Sequence, residues 1–468
     1  MTSVDLLVRD ARVHVAAGEV VEGWLAVRGG RVAAVGTGPE PAADVVHDAG
    51  GRDVMPGAID THVHFRDPGD TEKEDFSTGS LAAAFGGVTT VVDMPNTGHL
   101  VITPDDFREK RDLIAGRSWV DFGLHANFND SAAYVSELAE LGVASLKLLF
   151  GYGDWKGLRC HPSTYAELRA TLLEAVAAGV LVMVHAESLP WLVDLGRALR
   201  AEGRTDVNTH FDSRPPFVEA ISVAETAILA AEFGCRMHIV HLTGELPLRT
   251  AIALRDELDA PLTVETCPQY MFLTDEDVAA QGVSIQANPP IRTERDKLAM
   301  WEGIRNGTIH SIASDHAPNL PEDKVRDNPL DALPGVLGVE TMLPLLLDSV
   351  ARGRLTLPRV IELLCAHPAE LVRLDDRKGA LLPGHDADLA IVDLEAQSTI
   401  SGETLHSKQR FTPYEGRELR GAIGDVFLRG RPLVVDGRLA AEKPFGTYTP
   451  SQYAAAVGST AARAGRLA

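Results

Sequence analysis

Cysteine is scarce. Cys160, Cys235, Cys267 and Cys365 are the only four in 468 residues, and no two form a CxxC pair. That excludes a disulfide frame and a cysteine-rich zinc site, and it fits buried thiols in a reducing compartment. Positive charge is also short, with 44 Lys and Arg against 66 Asp and Glu for a formal charge of −22. Nucleic acid and anionic membrane surfaces reward basic patches, so neither is an expected partner. No uncharged apolar run is long enough to span a bilayer. The opening MTSVDLLVRDARV carries charges inside its apolar run, unlike a signal peptide. A soluble, cytoplasmic protein is expected.

What is present is a change of texture along the chain. Residues 1–55 read as short strands with turns, and 376–445 return to the same texture, so both ends are expected to build one small β domain. Between them, 56–375 alternates strands with Ala/Leu-rich helices such as STYAELRATLLEAVAAG and FVEAISVAETAILAAEFG. The strands are AIDTHVHF, VTTVVDMP, VDFGLHANF, VASLKLLF, VLVMVHAE, RMHIVHLT, LTVETCPQYM and HSIASDHAP. Eight such rounds predict a (β/α)8 barrel of the TIM type, with a doubly wound open sheet as the alternative. No Gly-rich phosphate loop follows the first strand, which weighs against that alternative. Residues 446–468 read as a C-terminal tail.

Barrel enzymes carry chemistry at the C-terminal ends of their strands. Polar residues recur at that end here: His62 and His64, Lys147, His185, His241 and Asp315. His62, His64 and Arg66 alternate, so a strand would point all three one way. His238 and His241 are three apart, which on a strand puts them on opposite faces; His241, nearer the end, is taken as the inward one. A lone strand histidine is more often a hydrogen-bonded core residue. His14, His47, His99, His125, His310 and His385 keep that reading. Lys147 stands among apolar neighbours, where an ammonium is costly. It either snorkels from the strand end or is a neutral amine able to take up carbon dioxide. The resulting carbamate is a carboxylate-like bridge for two cations.

This set resembles that of the dinuclear-metal cyclic amidohydrolases, namely dihydroorotase, hydantoinase or dihydropyrimidinase, and allantoinase. The likeness runs over nearly the whole chain and includes MPGAIDTHVH and KGALLPGHDADLAIVDL. It implies a barrel with a small β-sandwich from both chain ends, and two divalent ions, zinc the first choice. His62, His64, carbamylated Lys147 and Asp315 would hold one ion; Lys147, His185 and His241 would hold the other. Asp315 would move a proton from a bridging hydroxide to the leaving ring nitrogen. Manganese and cobalt also suit such mixed N/O donors. Relatives of this kind are homodimers or homotetramers.

The substrate follows from other positions. Arg66 in HFRDPG and Asn96 in DMPNT are similar to the carboxylate-binding pair of dihydroorotase, and Asn288 in NPPIR to a further contact. Asn319 departs from that pattern, since it stands where dihydroorotases have a histidine, and by that position it too is expected to contact substrate. Tyr152, five residues after Lys147, is similar to a hydantoinase oxyanion donor, as ETCPQYMFLT is to hydantoinase and SRPPFVEA to allantoinase. Each has a plainer reading: Arg66 in a salt bridge to Asp67, Asp70 or Glu74, Asn96 in an Asx turn, Tyr152 in packing. Dihydroorotase-type activity on a small cyclic amide is the leading expectation, with hydantoinase or allantoinase activity as the alternative. A one-metal deaminase, which would not need Lys147, and a non-catalytic scaffold are the rival classes. The glycines of GYGDWKGLRCH, residues 151–161, would permit a lid.

Overall fold

Strands rich in Val, Ile and Leu and buried on both faces are what a parallel sheet wrapped in helices requires. In a computed structural model, which describes residues 3–153, 161–162 and 164–453, the central region meets that requirement. Ala58–Val63, Val88–Asp93 and Asp121–Leu124 pair in parallel. Ala126–Asn127, Leu146–Leu149, Val182–His185, Met237–Ile239, Leu262–Thr266 and Ser311–Ile312 continue in parallel. The third strand breaks at His125, which turns its ring inward to Ser145 Oγ at 2.7 Å and the Thr61 carbonyl at 3.0 Å. Closure from the eighth strand to the first runs through the His64 N–H, which donates to the His316 carbonyl at 2.8 Å. The result is a (β/α)8 barrel.

Local signals place the helices. Thr164 caps Tyr165–Ala178 by accepting from Glu167 N, and Gly179 ends it at φ 70°. Pro216–Phe233 starts on a proline and stops at Gly234. Three expected strands are shorter than their apolar runs. LTVETCPQYM stops at Thr266, because Pro268 opens a short helix, Pro268–Phe272. RMHIVHLT stops at Ile239 and HSIASDHAP at Ile312. In both, the residue that carries chemistry lies beyond the strand with a left-handed backbone, φ 42° at His241 and 47° at Asp315.

Strands from both ends of the chain share one nine-stranded sheet. Asp53–Pro56 is the joint, parallel to Val4–Ala16 on one side and antiparallel to Leu389–Thr399 on the other. Leu6, Val8, Val13, Ile391 and Phe427 give it an apolar cluster of its own. Residues 446–453 return to the barrel: Gly446 N donates to the Ser118 carbonyl, Phe122 N to that of Thr447, and Tyr448 Oη to that of Leu141. The remaining tail, 454–468, lies outside the described residues. Among the described residues no helix is long and apolar enough to cross a membrane.

Candidate active site

The eleven residues singled out from the sequence line one pocket at the C-terminal mouth of the barrel. His62 and His64 both bring Nε2 to 3.4 Å from Asp315 Oδ1. His185 Nδ1 faces His241 Nε2 at 2.9 Å, while His185 Nε2 meets Glu187 Oε2 at 2.9 Å. The rings form a chain, with centroids 5.3 Å apart for His62 and His64, 5.4 Å for His62 and His241, and 4.7 Å for His185 and His241. Left-handed backbones at Arg66, His241 and Asp315 are uncommon outside glycine, and here they bend the strand ends over the pocket.

Burial sets the charge states. It lowers the pKa of His62, His64, His185 and His241, so all four are neutral imidazoles with a lone pair to offer. It also pulls the Lys147 ammonium down from its usual range, against the pull of Glu265 and Asp315. Asp315 is pushed up by burial, with Lys147, His185 and Arg66 opposing. Lys147 Nζ, His64 Nδ1 and His241 Nδ1 are buried without a hydrogen-bond partner. Buried polar groups left this way are expensive. Four neutral imidazoles, a carboxylate and a lysine whose ammonium form burial disfavours fit divalent cations with mixed nitrogen and oxygen ligands. His62, His64 and Asp315 already place their donor atoms within 4.8 Å of one another.

Around these donors, Arg66 is buried, and its Nε donates to the Pro318 carbonyl at 3.0 Å. Among the described residues no carboxylate lies within ion-pair distance of it: Asp67 takes Arg117 at 2.8 Å, Glu74 lies 3.6 Å from His316, and Asp70, on the same pocket wall, attracts the guanidinium only from farther off. Asn96 Oδ1 is buried without a partner, so no Asx turn consumes it. Tyr152 sets its ring edge on His185 at 4.8 Å, and burial pushes its phenol up to about 12, keeping it protonated. The Asn288 amide lies 2.8 Å from His210 Nε2 and 3.4 Å from the Tyr152 hydroxyl. Asn319 is part of the wall: it donates to the Pro334 carbonyl at 2.8 Å and accepts from Lys73 Nζ at 3.2 Å. Of the stretch 151–161 considered as a lid, residues 154–160 lie outside the described residues.

The histidines read as structural are elsewhere. His14 and His47 pair with Asp53 and Asp425 in the chain-end sheet, and His310 stacks on His367. Of His238 and His241, only His241 lines the pocket; His238 turns its ring to Thr263 Oγ1 at 2.7 Å and Glu265 Oε2 at 3.4 Å, while the backbone N–H of His241, beyond the strand end at Ile239, donates to Glu265 Oε1 at 3.3 Å.

Three charged groups escaped the sequence reading. Glu265 Oε1 lies 3.1 Å from His62 Nδ1, Glu187 bridges His185 and Arg214, and Lys73 pairs with Asp323 at 2.8 Å. A signal for the first was available, since LTVETC is an apolar strand with one acid near its end.

Comparison with known proteins gives a consistent picture. The amidohydrolase family model matches residues 54–433. An allantoinase of Solibacter usitatus is 35% identical over 435 residues, 92% of this chain and 93% of that protein. A dihydroorotase of Methanosarcina mazei is 36% identical over 382 residues, 80% and 82% of the two chains. The solved L-hydantoinase (dihydropyrimidinase) of Arthrobacter aurescens superimposes with a TM-score of 0.91 at 30% identity, covering 95% of this chain and 99% of its own.

Proposed function

The chain belongs to the amidohydrolase family and is a cyclic amidohydrolase, and from there we propose that its ring carries a carboxylate, as in the dihydroorotase-type interconversion of dihydroorotate and N-carbamoyl-aspartate. The observation that supports this is Arg66, a buried guanidinium lining the pocket with no carboxylate within ion-pair distance among the described residues. Burying a cation without a counter-ion costs several kcal/mol, on the order of what an anionic substrate would return. Asn96 Oδ1, equally without a partner, marks an amide beside it whose NH₂ can serve the same anion.

His62, His64, Asp315 and Lys147 as its carbamate would hold one divalent ion, zinc first among the candidates, and Lys147, His185 and His241 a second. When bound, such a pair supplies Lewis-acid activation of water and of the scissile carbonyl. The neutral Lys147 amine attacks carbon dioxide; the new N–C bond forms as one proton leaves to solvent. Asp315 accepts the proton of the attacking water and delivers it to the ring nitrogen as the C–N bond breaks. Tyr152, held protonated by burial, donates to the oxygen that gains charge. We extend the proposal to a homodimer or homotetramer.

Tyr152 also supports a second reading. A phenol donor beside Asn288 serves a neutral ring as well, which is hydantoinase- or allantoinase-type chemistry. The test is a side-by-side assay of dihydroorotate, hydantoin, dihydrouracil and allantoin on metal-loaded protein and on Arg66→Ala. Turnover of dihydroorotate, with KM raised at least about 10-fold in the variant, is expected. A wild type that ignores dihydroorotate and opens hydantoin or allantoin replaces the first reading with the second.

A further inference from the structure

Among the proposed ion donors none comes from the seventh barrel strand, Leu262–Thr266, although it lies between the strand leading to His241 and the one leading to Asp315. What that strand contributes is Glu265, whose side chain is fully buried. Oε1 accepts the backbone N–H of His241 at 3.3 Å and lies 3.1 Å from His62 Nδ1. With Glu265 ionised, Oε1 can only accept, so the ring proton of His62 would sit on Nδ1 and leave the Nε2 lone pair for the pocket. Oε2 is 3.3 Å from Thr61 Oγ1 and 3.4 Å from His238 Nε2. The Glu265 main chain joins in, its carbonyl accepting from Leu242 N at 2.8 Å. One residue therefore grips the turn that carries His241 and fixes the tautomer of His62.

Asp60, also buried beside the donors, holds the main-chain N–H groups of His62 and Ser314, and Glu187 is different again. It reaches only one of the donors, His185, and spends its charge on Arg214. We propose that Glu265 is a positioning residue shared by the two halves of the site, so that its loss loosens both ions together, while loss of Glu187 loosens one. Chain geometry supports the distinction. His62 belongs to the donor set of the first ion and His241 to that of the second, and Glu265 touches both through a single oxygen.

The inference rests on the two-ion reading of the donor set, and the wild type tests that reading separately. Metal-loaded wild type, Glu265→Met, Glu265→Gln and Glu187→Gln are passed through a desalting column and the retained zinc is counted. Wild type retaining about two ions upholds the reading; wild type retaining none removes both the reading and the inference. Glu265→Met keeps the volume and removes the acceptor, and should weaken both ions by about 10–100-fold. Glu265→Gln still offers an amide oxygen to the same two donors and should recover most of the retained metal. In ¹⁵N-histidine spectra of the metal-free protein, His62 should be an Nδ1–H tautomer in the wild type and a mixture in Glu265→Met. Retention of both ions by Glu265→Met, or loss of only one, overturns the proposal. Should Glu265→Met not fold, Glu265→Asp, one methylene too short to reach both partners, is measured instead, and wild-type retention of both ions overturns it equally.

Discussion

Among the buried lysines of this protein, Lys147 at 2% exposure and Lys378 at 3% lie at nearly the same depth, and their surroundings make them opposites. Lys378 Nζ donates to Asp388 Oδ2 at 2.5 Å and to Asp121 Oδ2 at 3.0 Å, with Asp386 at 3.5 Å and Arg429 on the far side of Asp121. Burial alone would lower its pKa, but the carboxylates outweigh burial and raise it. Lys147 Nζ has no hydrogen-bond partner, and there burial wins. The two places also present comparable donor geometry. Asp121, Asp386 and Asp388 are spaced as ion ligands just as His62, His64 and Asp315 are, yet in the first group a lysine and an arginine already take the cation's place. Depth, then, does not decide what a buried lysine does. The partners within hydrogen-bond reach decide it: a lysine among carboxylates is a fixed cation, and one without them gives up its proton more readily.

Substitution at each lysine breaks the comparison in a different currency. Lys147→Ala should take retained metal and turnover to background, since it removes the donor proposed to be shared by both halves of the site, while thermal unfolding of the metal-free protein changes little. Elemental analysis and calorimetry check the two parts; an active Lys147→Ala sinks the carbamate. Next in size is Asp315→Asn, which keeps the shape of a donor but not its basicity. It should lower kcat about 10²–10⁴-fold with some metal still bound, and an unchanged kcat removes Asp315 from proton transfer. Lys378→Met should do the reverse of Lys147→Ala. It leaves three buried acids with only Arg429 on Asp121 and a looser Arg377 on Asp386, and should cost about 3–5 kcal/mol in urea unfolding, with kcat per folded molecule unchanged. If Lys378→Met proves as stable as wild type, the ion network there is not what joins the chain-end sheet to the barrel.

How much of this contrast the sequence discloses depends on the reach of each contact. The barrel is legible because strand and helix periods are local, and the donors because they recur at strand ends. The split sheet is legible from the same strand texture at both ends. Contacts between residues distant in sequence are not. Nothing in KGALLPGHDADLAIVDL says that Lys378 and Asp388 meet Asp121, more than 250 positions earlier. Glu265 is hidden in the same way, its partners His62 and Thr61 being about 200 residues away. For His238 and His241 the sequence picks the pocket residue, His241, but strand alternation is not the reason it lies there. A period of two holds only while the strand lasts, and a left-handed residue beyond its end resets the direction of the side chain. Asn319 was read as a substrate contact from position alone; its hydrogen bonds to Lys73 and Pro334 show how much of its amide is already committed.

Acid provides the smallest and most selective test of the structural lysine's network. Burial would raise the Asp121 carboxyl, but Lys378 and Arg429 outweigh it and hold it at about 2, below the roughly 3.9 of an unfolded chain. A carboxylate depressed on folding stabilises fully above the unfolded pKa and gives that stability up as pH falls through the folded one. The contribution should therefore be complete above about pH 5 and fade between about pH 4 and 2. Nearly two units would be worth about 2–3 kcal/mol. Asp388, which burial pushes upward beside the same lysine, returns part of it, so about 2 kcal/mol is a ceiling. Urea unfolding from pH 6 down to the lowest pH at which wild type remains folded should give a shallower acid slope in Asp121→Asn than in wild type. Parallel slopes would mean that the network carries no pH-linked stability, and that the difference between the two lysines lies in packing, not charge.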